Sequence, residues 1–249
     1  MNLARMFELM ENEWEGRLAD PVWRRLRRCS PDLVAAFEPE RRRLSRMARH
    51  EREARRQGST VVAGLDEVGR GPLAGPLVAA AVVFDDHPWI VGLNDSKQLL
   101  PEEREALRDR ILLCARTWAI GQVTVEEMKQ GLNMHVVNLL ALERARDGLA
   151  CAPDLLLIDG RFGLRRDENQ RTLVKGDCRS YSIAAASIVA KVYRDKLMKR
   201  LHETYPQYGF DSHKGYATPD HLEALKKHGP CPAHRPQFRS VREAMACTV

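Results

Sequence analysis

Two short apolar runs, VVAGL at 61–65 and LVAAAVVF at 77–84, flank the stretch DEVGRGPLAGP. That stretch cannot be helix, because Pro72, Pro76 and three glycines interrupt it. The runs are brief and rich in β-branched residues, so both read as buried strands, over 61–66 and 77–84. Similar runs at 117–124 (TWAIGQVT), 155–159 (LLLID) and 171–175 (RTLVK) supply three more. Helical spacing marks 101–115, 133–149, 180–204 and 219–228, the first opening with Pro101 at a helix start and acids in its first turn. Three early strands with little helix between them, followed by strands separated by helices, predict an α/β chain with a mixed sheet.

Carboxylates punctuate this pattern. Asp66 and Glu67 end the first strand, Asp159 ends the fourth, and Asp177 follows the fifth, just ahead of the long helix. One acid at a strand end is commonly a turn former or cap. Several such ends together are another matter, since strand ends of an open α/β sheet are where sites form. Carboxylates gathered there repel one another, and a divalent cation relieves the repulsion. Oxygen ligands without interleaved His or Cys select a hard ion, Mg²⁺ or Mn²⁺. Adjacent strand residues face opposite ways, so Asp66 and Glu67 share a site only where the strand ends or twists.

Gly69, Gly71 and Gly75 faintly imitate a dinucleotide fingerprint, but the prolines break the helix that motif needs, and no Gly-Lys-Ser/Thr follows to make a phosphate loop. What remains is a backbone that can approach a ligand closely, with Arg70 beside it, or a plain turn. Three further clusters are polar: Asn94-Asp95-Ser96-Lys97; Ser187 and Lys191, four apart on one helix face; and SHKGYAT at 212–218, with His213, Lys214 and Tyr216. Lysines and serines near a metal suit phosphate, and a tyrosine in a glycine loop suits stacking on a sugar or base. Each cluster alone also fits an ordinary surface or cap.

The net charge of +6 is uneven. Residues 41–56 alone carry eight arginines against two glutamates, a balance that suits a nucleic-acid partner. The chain divides near Gly58, giving a basic helical N-terminal segment over 1–57 and a main domain over 58–249. Leu3, Met6, Phe7, Met10, Trp14 and Leu18 predict an amphipathic helix, with further helix over 32–38 and 40–57. This segment either packs on the main domain or contacts phosphates, and the two are compatible. No apolar run is long enough to span a membrane, and the start lacks a secretory leader's apolar centre. Six scattered cysteines with no CxxC pair read as reduced thiols of a cytoplasmic protein.

The chain over about 60–240 resembles bacterial type 2 ribonuclease H. The resemblance rests on GLDEVGRGPLAGP, LNDSKQL, LLLIDG, VKGD followed by SIAAASIVAKVYRD, YPQYGFDSHKGYAT and HRPQF, in that order. It implies a ribonuclease H-like mixed five-stranded sheet flanked by helices, and a four-carboxylate site of Asp66, Glu67, Asp159 and Asp177 holding two Mg²⁺ or Mn²⁺ ions. It implies that Gly69-Arg70-Gly71 contacts the ribonucleotide at an RNA–DNA junction and that Tyr216 abuts the adjoining deoxyribose. Ser96, Lys97, Ser187, Lys191 and Lys214 join them as substrate-binding candidates. The implied activity is hydrolysis of RNA in RNA–DNA hybrids and at single ribonucleotides in duplex DNA, by a monomer, leaving 3′-hydroxyl and 5′-phosphate ends. Two rivals are another two-metal nuclease or recombinase of the same fold, and a basic nucleic-acid-binding module with a lapsed site. The glycine–arginine–glycine turn and HKGY loop speak against the first, and the presence of all four acids speaks against the second.

Overall fold

A computed structural model of the chain describes residues 31–85, 90–164 and 169–246. The helix expected over 3–18 lies outside them. Five strands form one sheet: β1 (Val62–Val68), β2 (Leu77–Val83), β3 (Thr117–Val123), β4 (Leu155–Asp159) and β5 (Gln170–Leu173). Their order is β3-β2-β1-β4-β5. β1 pairs antiparallel with β2, and β2 with β3, whereas β4 runs parallel to both β1 and β5. The sheet is therefore mixed, with β1 at its centre. β1 runs to Val68, so the two acids fall among its last three residues, at the strand end expected of them.

Around the sheet lie α1 (Pro31–Met47), α2 (Arg49–Arg56), α3 (Pro101–Cys114), α4 (Val125–Met128), α5 (Met134–Asp147), α6 (Tyr181–Thr204), α7 (Phe210–His213), α8 (Pro219–His228) and α9 (Arg239–Ala246). Period-two alternation sorts β2 between two cores. Val78, Ala80 and Val82 face α6 and α3, while Leu77, Ala79, Ala81 and Val83 face α5. Ala184, Ala185, Ala186 and Ala190 of α6 are fully buried, and their small side chains let the helix lie close on the sheet. At Gly64 a Cβ would stand 2.2 Å from the main chain of Ser182, so only glycine permits this approach.

The break expected at Pro39 does not occur, and α1 runs through it. Glu38 pairs with Arg41 and Arg42, and Glu40 with Arg43, bracketing the proline with i,i+3 and i,i+4 ion pairs. The helix stops instead at Ala48. Leu44, Met47 and Ala48 join the α6-side core, and Glu51 of α2 is buried against the start of α6. α4 and α7 were not anticipated. α4 carried a readable signal, since Thr124 and Glu127 form a reciprocal capping box. Among the described residues no helix is long and apolar enough to cross a membrane.

Candidate active site

The sheet register gathers the acids. Leu65 pairs with Ile158 in the parallel ladder, so the next residues, Asp66 and Asp159, stand side by side on the face toward α6. Asp66 is only 6% exposed. Its carboxylate accepts the amide of Glu67 at 2.7 Å and a hydrogen bond from the Ser187 hydroxyl of α6. Burial, then the charges of Glu67 and Asp159, push its pKa well above the ordinary carboxylate value. Burial also raises Glu67, with Asp159 adding to the shift and Arg70 opposing it. Asp159 is raised by burial and Asp177, while the Gly176 amide, donating at 2.6 Å, works against them. Asp177 sits buried in the turn Gly176–Cys178 between β5 and α6. Its carboxylate lies 3.3 Å from Lys97 Nζ. The four expected acids thus meet at one end of the sheet, each within electrostatic reach of another.

Three crowded carboxylates with raised pKa values are a site that gains by binding a cation, and the oxygen-only donor set fits Mg²⁺ or Mn²⁺. Beside it, Asp95, Asp177 and Cys178 place donor atoms within 4.8 Å of one another. Burial, together with Asp177 and Asp95, raises the Cys178 thiol's pKa. The thiol therefore stays protonated and offers a hard ion little.

The other candidates divide. Ser96 and Ser187 are buried, their hydroxyls 3.0 Å apart, and so form a relay behind Asp66. Lys97 and Arg70 are exposed at the mouth, Arg70 lying 3.5 Å from Glu67. Lys191 holds Asp195 at 2.7 Å. Lys214 lies near enough to Lys191 and Lys199 for their charges to lower its pKa, after burial has done most of the lowering. Tyr216, 46% exposed, rests against the turn: a Cβ placed on Gly71 would stand 3.6 Å from its ring. The turn and the tyrosine loop are joined by the Leu73 amide donating to Gly215 at 2.8 Å.

Two residues essential to this arrangement were missed. Arg194 and Arg235 are fully buried and face main-chain carbonyls. Arg194 donates to Ala74, Pro76 and Lys214, while Arg235 donates to Gly69, Pro72 and Gly75 at 2.7–3.0 Å. They satisfy the inward carbonyls of the glycine–proline turn, and burial lowers both their pKa values. At Gly69, φ is +96° and a Cβ would stand 2.3 Å from Arg194 Nε, so glycine is required twice over. The signal lay in AKVYRD and HRPQF, where each arginine stands among apolar, aromatic or turn residues.

Comparison with known proteins identifies the family. The family model for ribonuclease HII matches residues 63–241. Ribonuclease HII 1 of Methylibium petroleiphilum is 52% identical over 186 residues, covering 75% of this chain and 93% of that protein. Ribonuclease HII of Geobacillus kaustophilus is 43% identical, covering 91% and 90%; that match must reach into the first 57 residues. Among solved structures, ribonuclease H2 of Pyrococcus horikoshii superposes with a TM-score of 0.65 at 27% identity, covering 75% of this chain and 98% of that one. A manganese complex of Bst-RNase HIII shares the fold, with a TM-score of 0.61 at 23% identity over 78% and 72% of the two chains. The chain belongs to the ribonuclease HII family, metal-dependent endonucleases that hydrolyse the RNA strand of RNA–DNA hybrids.

Proposed function

We propose that this enzyme also incises duplex DNA at a single embedded ribonucleotide, leaving 3′-hydroxyl and 5′-phosphate ends. The observation that carries the reading is the placing of the exposed Tyr216 ring beside the Gly71 turn, where a Cβ on Gly71 would stand 3.6 Å from the ring, on a turn whose Arg70 lies 3.5 Å from Glu67. A sugar held between a bare peptide edge and an aromatic face presents its 2′-hydroxyl to the turn. Nothing in the site reads base edges, so duplex shape and the 2′-hydroxyl set specificity.

In this reading Asp66, Glu67, Asp159 and Asp177 hold two Mg²⁺ or Mn²⁺ ions. The ions, when bound, lower the pKa of the attacking water and stabilise the leaving 3′-oxygen. The chain's own residues do the rest. Ser187, backed by Ser96, fixes the rotamer of Asp66. The Gly176 amide fixes Asp159. Lys97, on an exposed stem, lies near Asp177 and can turn to a substrate phosphate. Lys191 and Lys214 flank the tyrosine loop and add positive charge for the backbone.

The test is incubation with three duplexes in Mg²⁺ or EDTA: all-DNA, one ribonucleotide, and a long hybrid. Cutting of the last two only, and only with metal, is expected. Equal cutting of all-DNA duplex removes 2′-hydroxyl recognition, and cutting in EDTA removes the metal.

A further inference from the structure

Behind Tyr216 lies a buried group of histidines that the chemistry above does not use. His221 and His234 are 0% and 2% exposed. His213 and His221 stack with centroids 4.4 Å apart. Tyr208 and Phe210 enclose the group, with ring centroids 4.8 and 5.6 Å from His234.

Their hydrogen bonds fix every proton. A peptide N–H only donates, so His213 Nδ1, which takes the Gly215 amide at 3.1 Å, is bare. Its Nε2 then carries the proton and donates to the Tyr208 carbonyl at 2.6 Å. By the same logic the Cys231 amide, 3.0 Å from His234 Nδ1, leaves the His234 proton on Nε2. That proton points at His221 Nε2, 3.1 Å away, which must accept. His221 Nδ1 therefore donates to the Tyr216 carbonyl at 2.7 Å. Each ring is held in one tautomer; the bonds from His234 through His221 to Tyr216 run in one direction, and His213 joins the group by stacking. Two stacked rings hold the main chain on either side of the Tyr216 side chain: His213 at the Gly215 amide and His221 at Tyr216's own carbonyl.

We propose that His213, His221 and His234 are positioning residues for Tyr216, keeping its ring beside the Gly71 turn: His234 and His221 as a proton-ordered relay, and His213 as a brace stacked on His221. The inference rests on the reading that Tyr216 meets the substrate. Lys214 adopts a left-handed backbone conformation (φ 52°) immediately before Gly215, so the loop sits in a geometry that needs such external fixing. Burial lowers the pKa values of His221 and His234, which keeps those two rings neutral at physiological pH.

The test uses two substitutions at one position. His221→Asn places an amide nitrogen near the position of Nδ1 and keeps the donor to Tyr216. His221→Gln places its amide near Nε2, keeping the contact with His234 and losing Tyr216. Both give up one of two hydrogen bonds, so their melting temperatures should fall together. Only His221→Gln should lower kcat/KM on the single-ribonucleotide duplex, by about five- to tenfold, the scale of one net hydrogen bond. In a Tyr216→Ala background that penalty should vanish. Hydrogen exchange of the peptide covering 213–218 should rise in His221→Gln and not in His221→Asn. Equal exchange in the two variants, or a glutamine penalty that persists without Tyr216, overturns the relay. If Tyr216→Ala itself cuts like the parent enzyme while exchange still separates the two variants, the relay stands and the substrate role of Tyr216 falls.

Discussion

The Arg235 guanidinium donates to the Gly69 carbonyl at 2.7 Å, tying a loop near the C-terminus to the turn that follows β1. The same fork takes Gly75 and Pro72. Lysine has no such fork. Arg235→Lys leaves buried carbonyls short of partners, at a cost of roughly 2–4 kcal/mol, or about 5–15 °C in melting temperature. The Michaelis constant for a ribonucleotide-bearing duplex should rise with it, because Gly69 and Arg70 hang from this group. Calorimetry of the variant is decisive, and a melting temperature within about 2 °C of the parent's would remove Arg235 from this role.

That arginine also marks where sequence reading stopped. Asp66, Asp159 and Asp177 were legible because an apolar run ending in an acid is a local pattern, and local patterns survive in one dimension. The mixed sheet was legible for the same reason, from the spacing of runs and helices. Arg235 and Arg194 answer a need created elsewhere, the inward carbonyls of a glycine–proline turn far away in the chain. Their neighbours in AKVYRD and HRPQF make each an odd place for an arginine, but none of them names the carbonyls it serves. Ser96 and Ser187 were visible as polar residues out of place, but only the packing of α6 on β1 shows them backing Asp66. The histidine relay was invisible because a hydrogen-bond direction is a property of three rings together.

Asp66→Asn separates repulsion from catalysis. The substitution keeps the shape and removes one of several crowded, buried charges, so the metal-free protein should melt a few degrees higher. It should also lose most turnover and most of the Mg²⁺-induced rise in melting temperature. Thermal scans with and without Mg²⁺ check both, and parent-like turnover at saturating Mg²⁺ would place the site elsewhere.

Acid should loosen the Tyr216 side of the site. Burial holds the His234 pKa down to about 4 in the folded chain, below the ordinary value of about 6.5 expected on unfolding. His221, His213, Cys231 and Tyr208 surround it, and none of them supplies a negative charge at neutral pH. The unfolded chain binds the proton first, so this contribution is intact above about pH 6.5 and lost as pH falls toward 4, amounting to roughly 3 kcal/mol. Asp66 and Glu67, whose pKa values are raised, act with the opposite sign and stabilise on acidification. The readout is therefore the difference between the parent and His234→Leu in urea midpoint at pH 7 and pH 5. A difference that does not change with pH would refute the assignment.

Glu51 decides what the N-terminal segment is for. Its Oε1 accepts from the Ser180 hydroxyl at 2.6 Å, the Ser182 hydroxyl at 2.7 Å and the Ser182 amide at 2.9 Å. α2 thereby caps the start of α6, the helix that carries Ser187 to Asp66. Arg43 donates to the Leu93 carbonyl and Arg55 to Phe84, so part of the arginine run is bound up in the fold. Glu51→Ala should cost roughly 2–4 kcal/mol and leave the salt dependence of duplex binding unaltered. Arg46, Arg49 and Arg56 are different, for they stand exposed along α1 and α2. Replacing all three by glutamine should leave the melting temperature in place and flatten the slope of log K against log salt by roughly two to three units, about 0.9 for each phosphate no longer neutralised. An unchanged slope in that triple variant would make the exposed arginines a solvated face, with α1 and α2 acting through packing alone.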